Sequence, residues 1–133
     1  MYFDEINIAA VLVVAVINIA LGMLWYSPFV LGKLWMDAMG WKEEECHPSV
    51  KDYLGAIVVA LVTTWVLALF VSTLSDTVWD GLKVGFLIWL GFIATSHFSG
   101  VLWAKKPLKA YLIDAGFYLV YLLIGGGILA AWQ

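Results

Sequence analysis

Hydrophobic and polar positions along this chain are segregated into long blocks. Four apolar runs, roughly residues 6–26, 53–73, 82–103 and 108–132, each match the ~20 residues an α-helix needs to cross a bilayer. The pattern predicts an all-α membrane protein with four transmembrane helices in one domain, residues 1–133. A shorter pattern lies between the first two runs. Ser27 as N-cap, Pro28 at the first helical position, then Phe29, Val30, Leu34, Trp35, Ala38 and Met39 at helical spacing, with Gly40 closing, predict a helix over 28–40. It is too short to span, and Lys33, Asp37 and the neighbouring tryptophans suit the headgroup layer, so it reads as an amphipathic interfacial helix or as a cover for the end of the bundle.

Polar positions inside the apolar runs say which faces turn inward. In the first run Asn7 and Asn18 share a face, and the Asn18 amide needs an interhelical partner. In the second, Ala56, Ala60, Thr64, Ala68 and Ser72 recur every four residues, a line of small side chains that lets another helix approach closely, within the chain or between copies. The segment SDTVWDG reads as a short turn into the third run, which carries Gly85, Gly91, Thr95, Ser96, His97, Ser99 and Gly100. On the fourth, Ala110, Asp114, Tyr118, Tyr121 and Gly125 form one stripe. An aspartate in hydrocarbon costs about 2.5–3.5 kcal/mol on insertion scales, so Asp114 is expected to face the bundle and find a donor or a proton.

Composition agrees with the pattern: 64% hydrophobic and 13% charged residues lie far from the soluble average of roughly 45–50% and 25%. Charge then orients the helices. Lys33, Lys42, Lys51, Lys105, Lys106 and Lys109 fall in the connections after the first and third helices, against Lys83 alone on the other side. That bias predicts both lysine-bearing connections on the cytoplasmic side and both termini outside. The acidic start MYFDE lacks the basic region of a signal peptide, so the first helix is read as retained. All seven basic residues are lysines, which removes the bidentate phosphate clamp and argues against a nucleic-acid partner. The single cysteine, Cys46, excludes an internal disulfide.

Candidate chemistry is sparse. Glu43, Glu44, Glu45, Cys46 and His47 superficially suggest a metal, but adjacent Cys and His do not reproduce the spaced ligand pairs of zinc sites, and neither a metal nor a cofactor is expected. The remaining candidates are His97 and Asp114. At 1.5 Å per residue, Asp114 lies about 7 Å from Lys109 and His97 about 9 Å from Trp103, which places them at similar depth. Three readings stay open: a structural bond helped by Tyr118 and Asn18, a carboxylate reaching out to lysines or water, or a proton or ion site. His97, Asp114, Tyr118, Tyr121, Asn18 and Ser96 form the candidate polar site.

Ser27, Phe29, Gly32, Leu34 and Trp35 match Ser96, Phe98, Gly100, Leu102 and Trp103, with one insertion. Leu21-Gly22 and Leu90-Gly91 precede them, while Lys51, Tyr53 and Leu54 match Lys109, Tyr111 and Leu112. Two related helix pairs about an axis along the membrane normal are one reading of this pattern, with Ala56 near the place of Asp114. Gly22, Trp25, Tyr26, Ser27, Pro28, Gly32 and Trp35, supported by Trp89 to Phe92 and Asp114 to Gly116, resemble a family of small bacterial four-helix membrane proteins of unknown function. The resemblance covers nearly the whole chain. It implies a multi-pass protein of the bacterial inner membrane and supplies no activity.

Function then rests on what four short helices can do. Comparably small transporters pair to line a path, so a homo-oligomeric permeation or transport protein for a small solute or ion is the leading expectation. The alternative is an accessory or assembly subunit that binds another membrane protein through its tryptophan-rich surface. An intramembrane enzyme ranks last, because one histidine and one aspartate fall short of a positioned catalytic set.

Overall fold

Asn7 opens the first helix by accepting the Ala10 N–H on its side chain at 3.2 Å. The computed structural model describes residues 5–42, 44 and 47–133. Helix α1, Ile8–Trp25, ends at Tyr26, whose N–H returns to the Gly22 carbonyl. The chain then turns before it resumes a helix: Val30 and Gly32 both donate to the Ser27 carbonyl, and α2 is Gly32–Met39, closed by Gly40 at φ 73°. The predicted start at Pro28 is therefore corrected by four residues. The Ser27 carbonyl anchors a turn, and its hydroxyl caps nothing. Gly32 is required at this turn, since a Cβ there would fall onto the Tyr26 carbonyl oxygen. Helix α2 thus folds back under the end of α1 and against the fourth spanning helix.

Helix α3, Val50–Leu74, begins three residues before its predicted start because Ser49 and Asp52 form a reciprocal capping box. The next span also begins early. Thr77 accepts the Asp80 N–H, so Val78, Trp79, Asp80 and Gly81, read as turn, form the first turn of α4, Val78–Ile88. The span continues through a π-helical turn, Trp89–Ala94, into α5, Thr95–Trp103. Helix α6, Leu108–Ala131, follows Pro107. Four helices, Ile8–Trp25, Val50–Leu74, Val78–Trp103 and Leu108–Ala131, are long and apolar enough to cross a membrane. The fold is the four-span, all-α membrane architecture that the hydrophobic blocks predict.

Helix α6 is the hub, packed against α1, α3 and α4. Its closest approach is to α4, where a Cβ on Gly81 would fall onto the Gly126 carbonyl oxygen and one on Gly85 onto that of Leu122. Two helix backbones in direct contact gain dispersion energy that lipid cannot supply, which is why small residues concentrate at this crossing. Of the small-residue line on α3, Ala60, Thr64 and Ala68 are buried within the chain, whereas Ala56 is exposed. The core gathers Ala10, Val14, Leu67, Val71, Tyr121 and Leu122. Lys51 and Lys109 are each the second residue of a spanning helix, and Ala56 and Asp114 each the seventh.

Candidate functional site

Asp114 lies six residues into α6, about 9 Å from its first residue along the axis. Both carboxylate oxygens are engaged. The Tyr26 hydroxyl donates to Oδ1 at 2.5 Å, and the Lys106 ammonium pairs with Oδ2 at 2.5 Å. The Asp114 and Lys106 side chains keep 15% and 26% of their surface. Lys106 reaches the carboxylate because Lys105 takes a left-handed φ of 58°, which reverses the chain after α5 and lets the Lys106 N–H bond back to Gly100. Tyr26 is the residue that caps α1, just beyond the span. Burial, and then the Asp114 carboxylate beside it, push its hydroxyl above the ordinary tyrosine range, so it serves as a donor.

The helix around Asp114 is held from two sides by indoles. Trp25 donates to the Ile113 carbonyl at 2.9 Å and Trp89 to that of Ala115 at 2.7 Å, each thereby satisfying its own N–H in an apolar setting. Trp25 also packs so closely on Gly116 that a Cβ there would stand 3.2 Å from its ring. Trp89 begins the π-helical turn, and the Ala94 carbonyl at its end accepts the Tyr111 hydroxyl at 2.8 Å. Helix α6 thus engages both ends of the π turn.

Outside this clasp opens a cleft of about 640 Å³ at the lysine-rich end of the bundle, lined by Tyr26, Gly32, Trp35, Met36, Trp41, His47, Pro48, Asp52 and Asp114. Its aromatic walls meet edge to face: Tyr26 and Trp35 are 6.1 Å apart at 85°, and Trp35 and Trp41 5.2 Å apart at 75°. Trp35 Nε1 and the Ser27 hydroxyl are buried beside it with no partner among the described residues. Asp52 contributes a second carboxylate, whose Oδ2 accepts the Ser49 N–H and hydroxyl. The arrangement sets two hydrogen-bonded carboxyl groups among apolar rings in a space that admits a small solute, and among the described residues it holds no nucleophile with a positioned base.

The expected polar site divides in two. His97 stacks on Tyr118, centroids 5.5 Å apart at 17°, with its Nδ1 buried and without a hydrogen-bond partner, Asp114 included, among the described residues. Further along, Tyr121 is fully buried and shares a 2.6 Å hydrogen bond with Thr64, and the Asn18 side chain lies within reach of the same hydroxyl. Ser96 is on the exposed side of α5. Asp114 thus belongs to an open cleft, and Tyr121 to a sealed polar layer in the core. Sequence reasoning missed Tyr26, Thr64, Trp41 and Asp52. A signal was nevertheless there: Gly22, Trp25, Tyr26, Gly32 and Trp35, the residues that carry the family resemblance, gather around Asp114 and its neighbours. Of the acidic loop, Glu43, Glu45 and Cys46 lie outside the described residues, while His47 lines the cleft.

Comparison with known families matches residues 9–130 to one described as a protein of unknown function (DUF1761). No curated protein and no solved structure matches the chain.

Proposed function

The chain belongs to the DUF1761 family, whose description names no activity, and we propose that it is a small-solute transport protein of the bacterial inner membrane, working as a homo-oligomer. The observation that carries this reading is the carboxylate of Asp114 at the wall of an open cleft, within a helix long and apolar enough to span. An ionisable residue within a spanning helix is a functional candidate by default. Beyond the cleft the same stripe of α6 continues to Tyr121, where Thr64, Val14 and Leu122 fill the middle of the bundle. A site open at one end and closed at the other is one state of an alternating-access cycle. By the lysine bias the open end is cytoplasmic. The apolar outer face of α3, with Leu54, Val58, Leu61, Val62 and Trp65 exposed, supports a second copy as neighbour as well as lipid.

The test is flux into proteoliposomes for protons, alkali cations and small organic ammonium ions. Wild type should carry at least one of these, and Asp114→Asn should lose most of that flux. No flux for any of them, with Asp114→Asn indistinguishable from wild type, overturns the proposal. One observation favours the accessory-subunit reading: an apolar groove of about 500 Å³ on α4 and α6, lined by Trp79, Leu82, Lys83, Phe86, Leu87 and Leu123. Pull-down in a gentle detergent that returns only the protein itself counts against it.

A further inference from the structure

The cleft carries information about its ligand that its position alone does not. It is lined by the rings of Tyr26, Trp35 and Trp41, by two carboxylates and by the His47 imidazole, and among the described lining residues there is no lysine. Adjacent rings stand at 85° and 75°, which sets them as perpendicular walls instead of a flat stack. Perpendicular indole and phenol rings beside carboxylates form the arrangement that attracts a weakly hydrated cation, because ring faces are electron-rich and negative charge comes from Asp52 and, once its lysine is displaced, from Asp114. A small inorganic cation would need a ring of oxygens to replace its hydration shell, which this apolar lining does not offer. A phosphate or carboxylate ligand would meet Asp52 and Asp114 with like charge.

A further detail concerns Asp114. Its Oδ2 already holds an alkylammonium, the side chain of Lys106, which enters from the connection after α5. Lys106 is thus a tethered example of the group this carboxylate accepts. The geometry points to an organic ammonium ion as the ligand of the cleft, its charged head among Tyr26, Trp35 and Trp41 and competing with Lys106 for Asp114. This assignment deepens the transport reading of the same cleft and names its substrate class. A primary or quaternary ammonium reaches such a site either as a free solute or as the headgroup of an amine-bearing lipid, since the cleft opens where α1 and α2 end and α3 and α6 begin.

Calorimetric titration of the full chain in nanodiscs of phosphatidylglycerol, which bears no amine, tests the assignment. Ethanolamine and tetramethylammonium should bind saturably and roughly tenfold or more above potassium. Trp41 is half-exposed, so Trp41→Leu should leave the fold intact while weakening binding about tenfold, and Trp41→Phe should restore much of it. Lys106→Met should strengthen binding, because the competing ammonium is gone. Equal heats for potassium, or Trp41→Leu and Lys106→Met titrating like wild type, overturn the assignment. Repeating the titration in discs containing phosphatidylethanolamine separates the sources. Loss of ethanolamine binding there identifies the lipid headgroup as occupant, and unchanged binding identifies the free amine. Binding without flux would leave this assignment standing and remove the transport reading; flux without ammonium binding would do the reverse.

Discussion

At the scale of single residues, the energetics turn on Asp114, Lys106 and Tyr26. Breaking a buried ion pair by removing one partner costs about 3–5 kcal/mol, and partial exposure of both groups here reduces that to roughly 1–3 kcal/mol. Asp114→Asn and Lys106→Met should each lower thermal stability in detergent by that amount. The double variant strands no charge, so it should cost less than the sum, with a coupling of about 1 kcal/mol in the double-mutant cycle. Additive losses would show that the pair is not coupled. Tyr26 adds a pH dependence of known sign. Its folded-state hydroxyl titrates above the unfolded value of about 10, so its stabilisation is complete below pH 10 and is lost as pH rises further, where the unfolded chain ionises first. Tyr26→Phe should therefore lose less stability than wild type between pH 10 and 11, measured by thermal melts across that window. Asp114 was legible in the sequence because a charge inside an apolar run has few interpretations. Its partner Tyr26 was not, since the two are 88 residues apart and meet only through the return of α6 past the end of α1. His97 was matched to Asp114 by depth, but depth along a helix leaves direction around it undetermined. A π-helical turn lies just before α5, so ideal α-helical spacing does not carry across it, and His97 meets Tyr118 instead.

At the scale of elements, the fold is organised by the crossing of α4 and α6, where glycine backbones touch. Gly81→Ala and Gly126→Ala each place a methyl on a carbonyl oxygen of the facing helix, which cannot move aside as a side-chain tip could. Each should destabilise by about 1–3 kcal/mol or more, read as a lower melting temperature or loss of folded protein on size exclusion. Gly55→Ala is the internal control, because nothing lies within 4 Å of its Cβ position and the helix propensity gain of about 1 kcal/mol is unopposed. If Gly81→Ala and Gly55→Ala melt alike, the helices do not cross as closely as described. The spans were legible because a helix that crosses hydrocarbon must be long and apolar. Their starts were less so. Ser49 with Asp52, and Thr77 with Asp80, are caps spelled out in the sequence, but each lies in a stretch whose charge reads as loop, and periodicity alone begins the helix too late. The Ser27-Pro28 start failed for the opposite reason, a local capping signal overridden by the turn that Gly32 and the end of α1 impose.

At the scale of the whole molecule, what matters is the side of the membrane on which the cleft opens. Six lysines flank the ends of α1 and α5 and the starts of α3 and α6, against Lys83 at the other end, and that asymmetry orients insertion through short connections. Cys46, the single cysteine, belongs by sequence to the same connection as His47, which lines the cleft. A membrane-impermeant maleimide should therefore leave the protein unlabelled in intact spheroplasts and label it in inverted vesicles, with a Cys46→Ser variant carrying a new cysteine at Asp76 showing the opposite pattern. Both patterns are needed, because an unreactive Cys46 alone would mimic protection, whereas Asp76 is an exposed residue of the connection between α3 and α4. Reversal of the two patterns would put Asp114 and its aromatic walls on the outer face, so that this state of the proposed cycle would open outward. The side to which this state of the proposed cycle opens thus follows from a labelling result that is independent of any assumption about the solute.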